Sequence, residues 1–253
     1  MATTSSSLTS EQLQELANRH LWLHFSRMGS YQRGEEIPII VRGDGCYVWD
    51  DHGNRYIDGL SALYCVNIGH GRADIAQAGA DQAKDLGFFT NWSYAHPKAI
   101  ELAAKVASLA PGDLNRVFFT SGGGESVESA LKLSRQYHKM TGNPNKTKII
   151  ARNIAYHGTT MGALAATGLT YARQPYEPLM PGGRHVPNTN LYRLPPGYGE
   201  ENLAEAIVEQ IEFEGPDTVA AVILEPVQNA GGCFVPPEGY FQRVREICDE
   251  TTA

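Results

Sequence analysis

The chain has 253 residues, a formal net charge of −7 at pH 7 and an ordinary apolar content of 42%. This length gives room for one sizeable domain, or for one domain with a small appendage. The acidic balance, without a basic cluster to offset it, argues against a general nucleic-acid-binding protein, so we expect no nucleic-acid partner. No apolar run is long enough to cross a bilayer, so we expect no membrane partner.

The N-terminus and the cysteines indicate the compartment. Residues 1–10 are small and polar and lack the apolar core of a signal peptide, so we expect a cytoplasmic protein. Four cysteines are scattered along the chain without a C-x-x-C pair: Cys46, Cys65, Cys233 and Cys248. We expect them to be free, buried thiols. Because the cysteines and histidines lack the spacing of zinc ligands, we expect no metal site.

The N-terminal part of the sequence predicts a helix followed by a small antiparallel sheet. Thr9-Ser-Glu-Gln12 has the form of a capping box and opens a predicted helix that runs to about Phe25. Residues 39–60 contain three short β-like runs separated by turn sequences rich in Gly, Asp and Asn. This pattern predicts a three-stranded meander, which needs a larger body to pack against.

From residue 69 onward, helical and β-like segments alternate along the chain. We predict helices at residues 72–86, 97–109, 124–140, 158–167, 200–214 and 240–248, and strands at 117–119, 148–152 and 219–224. This alternation predicts an α/β fold with a mostly parallel sheet and helices on both faces. Residues 170–199 are too long for a plain connector and are interpreted as a functional excursion.

The stretch from Arg116 to Arg135 contains the strongest local pattern. Three consecutive glycines follow the apolar run 117–119, and a helical pattern follows the glycines. Glycine lets the backbone approach a phosphate closely, and the first-turn N–H groups of a helix carry partial positive charge. The same glycines could simply form a tight turn, and both interpretations stay open here. The spacing matches neither a P-loop nor a dinucleotide-binding fingerprint.

Three further places could carry chemistry. Tyr156 and His157 follow the predicted strand 148–152, at the kind of edge where open α/β sheets bind ligands. Tyr156 could stack on a planar ligand or cap the core, and His157 could be a hydrogen-bonded loop residue. Glu225 ends the most apolar strand, where a carboxylate has either a structural or a functional role. Tyr64, in a segment flanked by Gly and His, is interpreted from the residues alone as a core-packing aromatic.

Five motifs occur in a characteristic order: Asp50-Asp-His-Gly-Asn-Arg-Tyr-Ile-Asp-Gly59, Asn67-Ile-Gly-His-Gly71, Phe119-Thr-Ser-Gly-Gly-Gly-Glu-Ser-Val-Glu-Ser-Ala-Leu-Lys132, Tyr156-His-Gly158 and Glu225-Pro-Val-Gln-Asn-Ala-Gly-Gly232. Together they resemble the class III (omega-type) aminotransferases, which are fold-type I enzymes that use pyridoxal 5′-phosphate (PLP). The resemblance covers about residues 10–248, and the ordered set is far more specific than any one motif. It implies that residues 1–68 form an N-terminal segment of the small domain and that residues 69–253 form an incomplete, PLP-binding large domain.

The resemblance implies a cofactor-binding role for each matching residue. Gly123 and Gly124 would hold the cofactor phosphate through backbone N–H groups. Tyr156 would stack on the pyridine ring, with His157 beside it in the same motif. Glu225 would lie near the ring and support the group that binds its nitrogen.

Two positions concern the substrate and a departure from the family. Tyr64 stands where family members commonly have a Trp or another aromatic residue that lines the substrate pocket. Gly124 stands where the family usually has a serine, so a hydroxyl contact to the phosphate would be missing. The backbone contacts survive this change, so the resemblance implies weaker rather than abolished phosphate binding.

The family also uses a lysine that forms a Schiff base with the cofactor and an aspartate that pairs with the ring nitrogen. Both groups would follow the last predicted helix. The seven lysines all precede Tyr156: Lys84, Lys98, Lys105, Lys132, Lys139, Lys146 and Lys148. We therefore expect an N-terminal fragment that contains no catalytic residue and does not transaminate by itself.

The resemblance implies that the full-length protein is a homodimer that moves an amino group between an amine or amino acid and a 2-oxo acid. Two alternatives remain open. The chain could be a non-catalytic remnant that binds phosphate ligands or a full-length subunit. The full-length protein could instead be a PLP-dependent aminomutase or a decarboxylating transaminase, since the substrate-facing residues do not separate these reactions.

Overall fold

The computed structural model describes residues 8–253. It contains two compact units, one extending to Ala104 and the other comprising Lys105–Ala253. The boundary after residue 68 that the resemblance implied refers to domains of a longer enzyme and stays a prediction. Over the described range, no helix is long and apolar enough to cross a membrane. In the same range, no group of three or more His, Cys, Asp or Glu side chains is placed to hold a metal ion.

The first unit contains a small antiparallel sheet with the predicted order β1-β2-β3. Its elements are α1 (Ser10–His20), β1 (Ile40–Asp44), β2 (Tyr47–Asp50), β3 (Arg55–Ile57), α2 (Ser61–Tyr64), α3 (Ala73–Leu86) and most of α4 (Pro97–Ala107). The capping box of α1 is confirmed, because the Thr9 hydroxyl accepts from the Gln12 N–H at 3.3 Å and the Gln12 amide oxygen accepts from the Thr9 N–H at 2.9 Å. The helix ends at His20 rather than at Phe25, whose φ of 53° is left-handed.

The second unit is built on a parallel sheet with the strand order β5-β4-β6. Its elements are α5 (Gly123–Met140), β4 (Lys148–Arg152), α6 (Met161–Ala166), α7 (Thr170–Arg173), β5 (Gly183–Val186), α8 (Glu205–Glu214), β6 (Val219–Val222) and α9 (Tyr240–Thr251). Because successive strand residues point to opposite faces, Ile149 packs with Leu131 of α5 while Ile150 packs with Ile207 and Ile247 of α8 and α9. Both faces of the sheet are covered by helices, as the alternating pattern predicted.

One strand prediction was wrong, and one strand was missed. Residues 117–119 form no strand, because no strand among the described residues pairs with them, and Phe118 is 81% exposed. The excursion 170–199 contains β5, a strand that was missed because Gly183-Arg-His-Val186 is short and largely polar. In addition, α8 begins at Glu205 rather than at residue 200.

The prediction of buried thiols was also largely wrong. All four cysteines are free, but only Cys248, on the inner face of α9, is buried. Cys46 and Cys65 lie in the first unit, which buries few side chains, and Cys233 lies on an exposed loop.

Candidate functional site

The glycine loop leads directly into α5 and leaves its N-terminus open. Gly122 is the N-cap residue with an extended φ of −172°, and no side chain caps the helix. A Cβ atom added at Gly122 or Gly123 would meet no atom within 4 Å. The carboxylate of Glu125, in the first turn, accepts from the N–H of Ser121 at 2.9 Å. No side chain caps the first turn of α5, and the space beside Gly122 and Gly123 is open, so this end of the helix is suited to bind an anion.

The N-terminus of α5 meets the loop that follows β4 through a pair of glycines. A Cβ added at Gly158, whose φ is +125°, would lie 2.9 Å from the Cα of Gly124. A Cβ added at Gly124 would lie 3.2 Å from Cγ2 of Thr160. A side chain at Gly158 would force the helix and the loop apart, whereas one at Gly124 would require Thr160 to shift slightly. The absence of a serine at Gly124 thus coincides with a crowded contact.

Tyr156 and Glu225 come together at the carboxyl edge of the parallel sheet. The N–H of Tyr156 donates to Oε1 of Glu225 at 2.7 Å, and the N–H of Asn229 donates to Oε2 at 3.0 Å. Two charge-assisted hydrogen bonds thereby offset the desolvation of a half-buried carboxylate. The carboxylate of Glu225 therefore holds the backbone of two loops. Tyr156 is 39% exposed rather than packed into the core.

His157 is buried beside Tyr156. Its N–H donates to the hydroxyl of Thr167 at 2.9 Å, which agrees with the interpretation of a hydrogen-bonded loop residue. Burial, followed by the nearby positive charge of Arg152 and by His185, lowers the pKa of His157 to about 4. The imidazole is therefore uncharged at neutral pH. Its Nε2 atom is buried and has no hydrogen-bond partner among the described residues.

Arg152, at the end of β4, is a buried cation that the sequence analysis missed. It is fully buried and donates to the carbonyl oxygen of Glu225 and, at 3.2 Å, to the hydroxyl of Thr189. Its guanidinium carbon lies 5.8 Å from the ring centroid of Tyr240. Burial lowers the pKa of Arg152. A charged residue that ends an apolar run, as in Lys148-Ile-Ile-Ala-Arg152, was the available signal.

Tyr64 lies in the first unit, in a left-handed helical turn. The four residues of α2 all have positive φ, with values of 50° for Ser61, 47° for Ala62, 62° for Leu63 and 66° for Tyr64. The carboxylate of Asp58 accepts from the N–H of Ala62. Tyr64 is 51% exposed, so the core-packing interpretation was wrong. Its role at the substrate pocket stays a prediction.

Residues 30–253 match the protein family Aminotransferase class-III. The chain belongs to this family. A probable aminotransferase of Mycobacterium tuberculosis is 59% identical over 241 residues, a match that covers 94% of this chain and 51% of the relative. The beta-alanine–pyruvate aminotransferase of Pseudomonas aeruginosa is 37% identical, with 93% of this chain and 53% of the relative covered. The class III aminotransferase chain thus spans about half the length of these curated relatives.

Comparison with a solved structure shows that the similarity includes the fold. The omega transaminase from Pseudomonas jessenii in complex with PMP superimposes with a TM-score of 0.90 at 32% identity, covering 95% of this chain and 54% of that chain. The predicted fold-type I architecture is confirmed. Class III aminotransferases depend on PLP. The residues present fit this cofactor, because an uncapped helix N-terminus beside open space suits its phosphate and the exposed ring of Tyr156 suits its flat heterocycle.

Proposed function

We propose that this chain forms the PLP cradle of an aminotransferase. In this cradle, the N–H groups of Gly123 and Gly124 hold the phosphate, Tyr156 packs on the ring, and His157 and Glu225 support the loop beside it. The observation that carries the proposal is the close approach of Gly124 and Gly158, which brings an open helix N-terminus to the loop that bears Tyr156.

We propose that the complete enzyme moves an amino group between an amine or amino acid and a 2-oxo acid. The name of the beta-alanine–pyruvate relative supports this substrate class. When bound, PLP supplies an electron sink for bonds at the amino carbon. The uncharged His157 adds no positive charge beside it, and the carboxylate of Glu225 holds the backbone of Tyr156 in place.

We further propose that these 253 residues bind the cofactor without completing the reaction. Proton transfer at the substrate carbon needs a base within reach. No lysine occurs after Lys148, and neither Tyr156 nor Glu225 replaces its amine chemistry. Incubation with PLP, borohydride reduction and peptide mass spectrometry test this point. We expect no single lysine to be labelled preferentially, whereas stoichiometric labelling of one lysine would contradict the proposal.

A titration with pyridoxamine 5′-phosphate (PMP), which has no aldehyde and cannot react with lysines, tests the cradle itself. Gly123→Asp places a carboxylate in the open space where the phosphate would bind, and no protein atom lies close enough to clash with its Cβ. We expect the parent chain to bind PMP saturably and Gly123→Asp to lose binding by at least about tenfold. Gly79→Asp, at an equally open position in α3, is the matched control and should bind as the parent does.

A non-catalytic remnant that binds phosphate ligands is the second candidate function. The uncapped N-terminus of α5, with open space at Gly122 and Gly123, favours it, because this feature can bind a phosphate without a ring. A remnant that recognises phosphate alone would bind inorganic phosphate and PMP equally well, because the ring would contribute nothing. We expect PMP to bind more tightly than inorganic phosphate, and equal dissociation constants would favour the remnant.

Two properties of the complete protein belong to the same proposal. We infer a homodimer, supported by large exposed aromatic side chains in the first unit: Trp22 (83%), Phe88 (83%) and Trp92 (84%). Sedimentation velocity tests this, and a monomer at high micromolar concentration would contradict it. We also infer a cytoplasmic location, supported by four free thiols that suit a reducing compartment.

A further inference from the structure

Glu128 lies on α5, shortly after the glycine loop, and its carboxylate reaches the segment that follows Tyr156. Its Oε1 accepts hydrogen bonds from the hydroxyl of Thr160 at 2.6 Å, from the N–H of Gly162 at 2.6 Å and from the N–H of Ala163 at 3.1 Å. The three donors belong to the N-cap and the first turn of α6. A side chain of one helix therefore caps the next helix.

This cap replaces the one that α6 would otherwise form by itself. Thr160 occupies the N-cap position but makes no cap bond to its own helix, because the N–H groups of Gly162 and Ala163 donate to Glu128 instead. A Cβ added at Gly162 would lie 2.4 Å from Oε2 of Glu128, so a larger residue there would displace the carboxylate from this position. The contact between the two helices thus combines a glutamate on α5 with a glycine on α6.

The carboxylate of Glu128 is ionised at neutral pH. Burial raises its pKa, but the hydrogen bonds from Thr160, Ala163 and Gly162, together with the charge of Lys132, outweigh burial and lower the pKa overall. Its three hydrogen bonds are therefore charge-assisted, and a negative charge at the N-terminus of α6 also complements the helix dipole.

The other hydrogen bonds of the loop lead elsewhere. The N–H of Tyr156 bonds to Glu225, and the N–H of His157 bonds to Thr167 at the end of α6. In the part of the chain that the structure describes, Glu128 supplies the only side-chain hydrogen bonds from α5 to the segment 156–163. It is the polar link between the glycine loop and the loop that bears Tyr156.

We propose that Glu128 is a positioning residue that sets the separation between the phosphate-binding and ring-binding parts of the cofactor site. This inference rests on the proposed function. A phosphate at Gly123 and a ring at Tyr156 belong to one small, rigid molecule, so its affinity depends on the distance between the two parts. Glu128 touches neither part in the structure and acts through Thr160 and α6.

Two ligands separate positioning from simple stabilisation. Inorganic phosphate needs only the helix N-terminus, whereas PMP needs the helix and the loop together. Glu128→Ala removes all three hydrogen bonds, and we expect the dissociation constant for PMP to rise about tenfold. The constant for phosphate, measured by competition with PMP, should change less than about twofold, since Gly123 is left as it was. Glu128→Gln keeps an acceptor oxygen and should stay within about threefold of the parent.

Hydrogen exchange in the ligand-free chain gives an independent readout. In Glu128→Ala, the amides of Gly162 and Ala163 should exchange at least about tenfold faster. Gln136→Ala, an exposed position on the same helix, is the control and should match the parent in every measurement. If Glu128→Ala does not fold, Glu128→Asp, which withdraws the carboxylate by one methylene group, takes its place.

Each outcome decides the inference. Equal losses of PMP and phosphate affinity, or unchanged amide exchange, would overturn the positioning role. An unchanged PMP affinity despite faster exchange would overturn it as well, while the proposed cradle would stand. Failure of the parent chain to bind PMP would overturn the proposed function, and with it the claim that Glu128 serves a cofactor.

Discussion

The backbone N–H of Tyr156 donates a hydrogen bond of 2.7 Å to Oε1 of Glu225, a residue 69 positions further along the chain. This bond joins the loops that follow β4 and β6, two adjacent strands of the parallel sheet. The second carboxylate oxygen holds the N–H of Asn229. One side chain therefore fixes both loops at the edge where open α/β sheets bind their ligands.

Replacing Glu225 with alanine should loosen both loops. The variant loses two charge-assisted hydrogen bonds, so the amides of Tyr156 and Asn229 should exchange at least about tenfold faster, as measured by hydrogen exchange. The affinity for PMP should fall with them. Glu238→Ala, at an exposed position in the same loop region, is the control. Unaltered exchange at Tyr156 would show that the carboxylate does not hold this loop.

Stability below neutral pH should depend on His157. Its pKa is lowered from 6.5 to about 4, so the neutral form is favoured in the folded state. The contribution of the neutral imidazole to the free energy of unfolding is fully present above about pH 6.5. It is lost as the pH falls towards about 4, because the unfolded chain binds the proton more readily. Between pH 7 and pH 5, the advantage of the parent over His157→Gln should shrink by about 2 kcal/mol of unfolding free energy.

Urea unfolding of both proteins at the two pH values measures this difference. The exposed His24 offers a control, since His24→Gln should keep the pH dependence of the parent. The same pH dependence in His157→Gln and in the parent would contradict the assignment of a buried, neutral imidazole.

Replacing Ala62 with glycine should relieve the strain of the left-handed turn and stabilise the segment around Tyr64. A left-handed residue other than glycine is strained by about 1–2 kcal/mol, and the greater freedom of unfolded glycine offsets roughly 0.5–1 kcal/mol of the relief. In Ala62→Gly, the amides of Tyr64 and Cys65, which bond to Leu60 and Ser61 at 2.9 Å, should exchange about two- to fivefold more slowly. Ala80→Gly, in the middle of α3, should instead speed exchange of that helix, since glycine weakens right-handed helices. Faster exchange in Ala62→Gly would contradict the strain.

The crowded contact at Gly124 predicts a dependence between two substitutions. Gly124→Ser adds a hydroxyl near the helix N-terminus but places its Cβ 3.2 Å from Cγ2 of Thr160. Thr160→Ser removes that methyl group and keeps the hydroxyl that donates to Glu128. Relative to its effect in the parent, Thr160→Ser should strengthen PMP binding about threefold or more when Gly124→Ser is present, a coupling of at least about 0.6 kcal/mol. Additive effects in a double-mutant cycle would contradict this explanation of the missing serine.

Local patterns predicted those parts of the fold that depend on local forces. The apolar run at 148–152 became β4 with the predicted bounds, and the turn sequences near Gly45 and Gly53 separate the strands of the small sheet. Residues 117–119 have the same apolar character, but no strand within residues 8–253 lies beside them. Strand formation also requires a partner strand, which the sequence of the segment itself does not reveal.

The predicted site residues were partly brought together, while their supporting residues were missed. Tyr156 and Glu225 were each placed at a strand end from the sequence, and the structure joins them. Glu128 and Arg152 act over separations of 34 and 73 residues, on Gly162 and on the carbonyl of Glu225. Neither hydrophobic periodicity nor motif spacing predicts such contacts. In a helical sequence pattern, a glutamate that caps another helix cannot be distinguished from a solvent-exposed glutamate.

Amide NMR of the 253-residue chain during a titration with PMP tests the cradle most directly. The central claim is that the N–H groups of Gly123 and Gly124 hold the phosphate while Tyr156 packs on the ring. We expect these three amide signals to shift and saturate at one PMP concentration, while the signal of Gly79 in α3 stays in place. Saturable shifts of other amide signals without shifts at Gly123 and Gly124 would contradict the central claim. The absence of any saturable shift would contradict it as well.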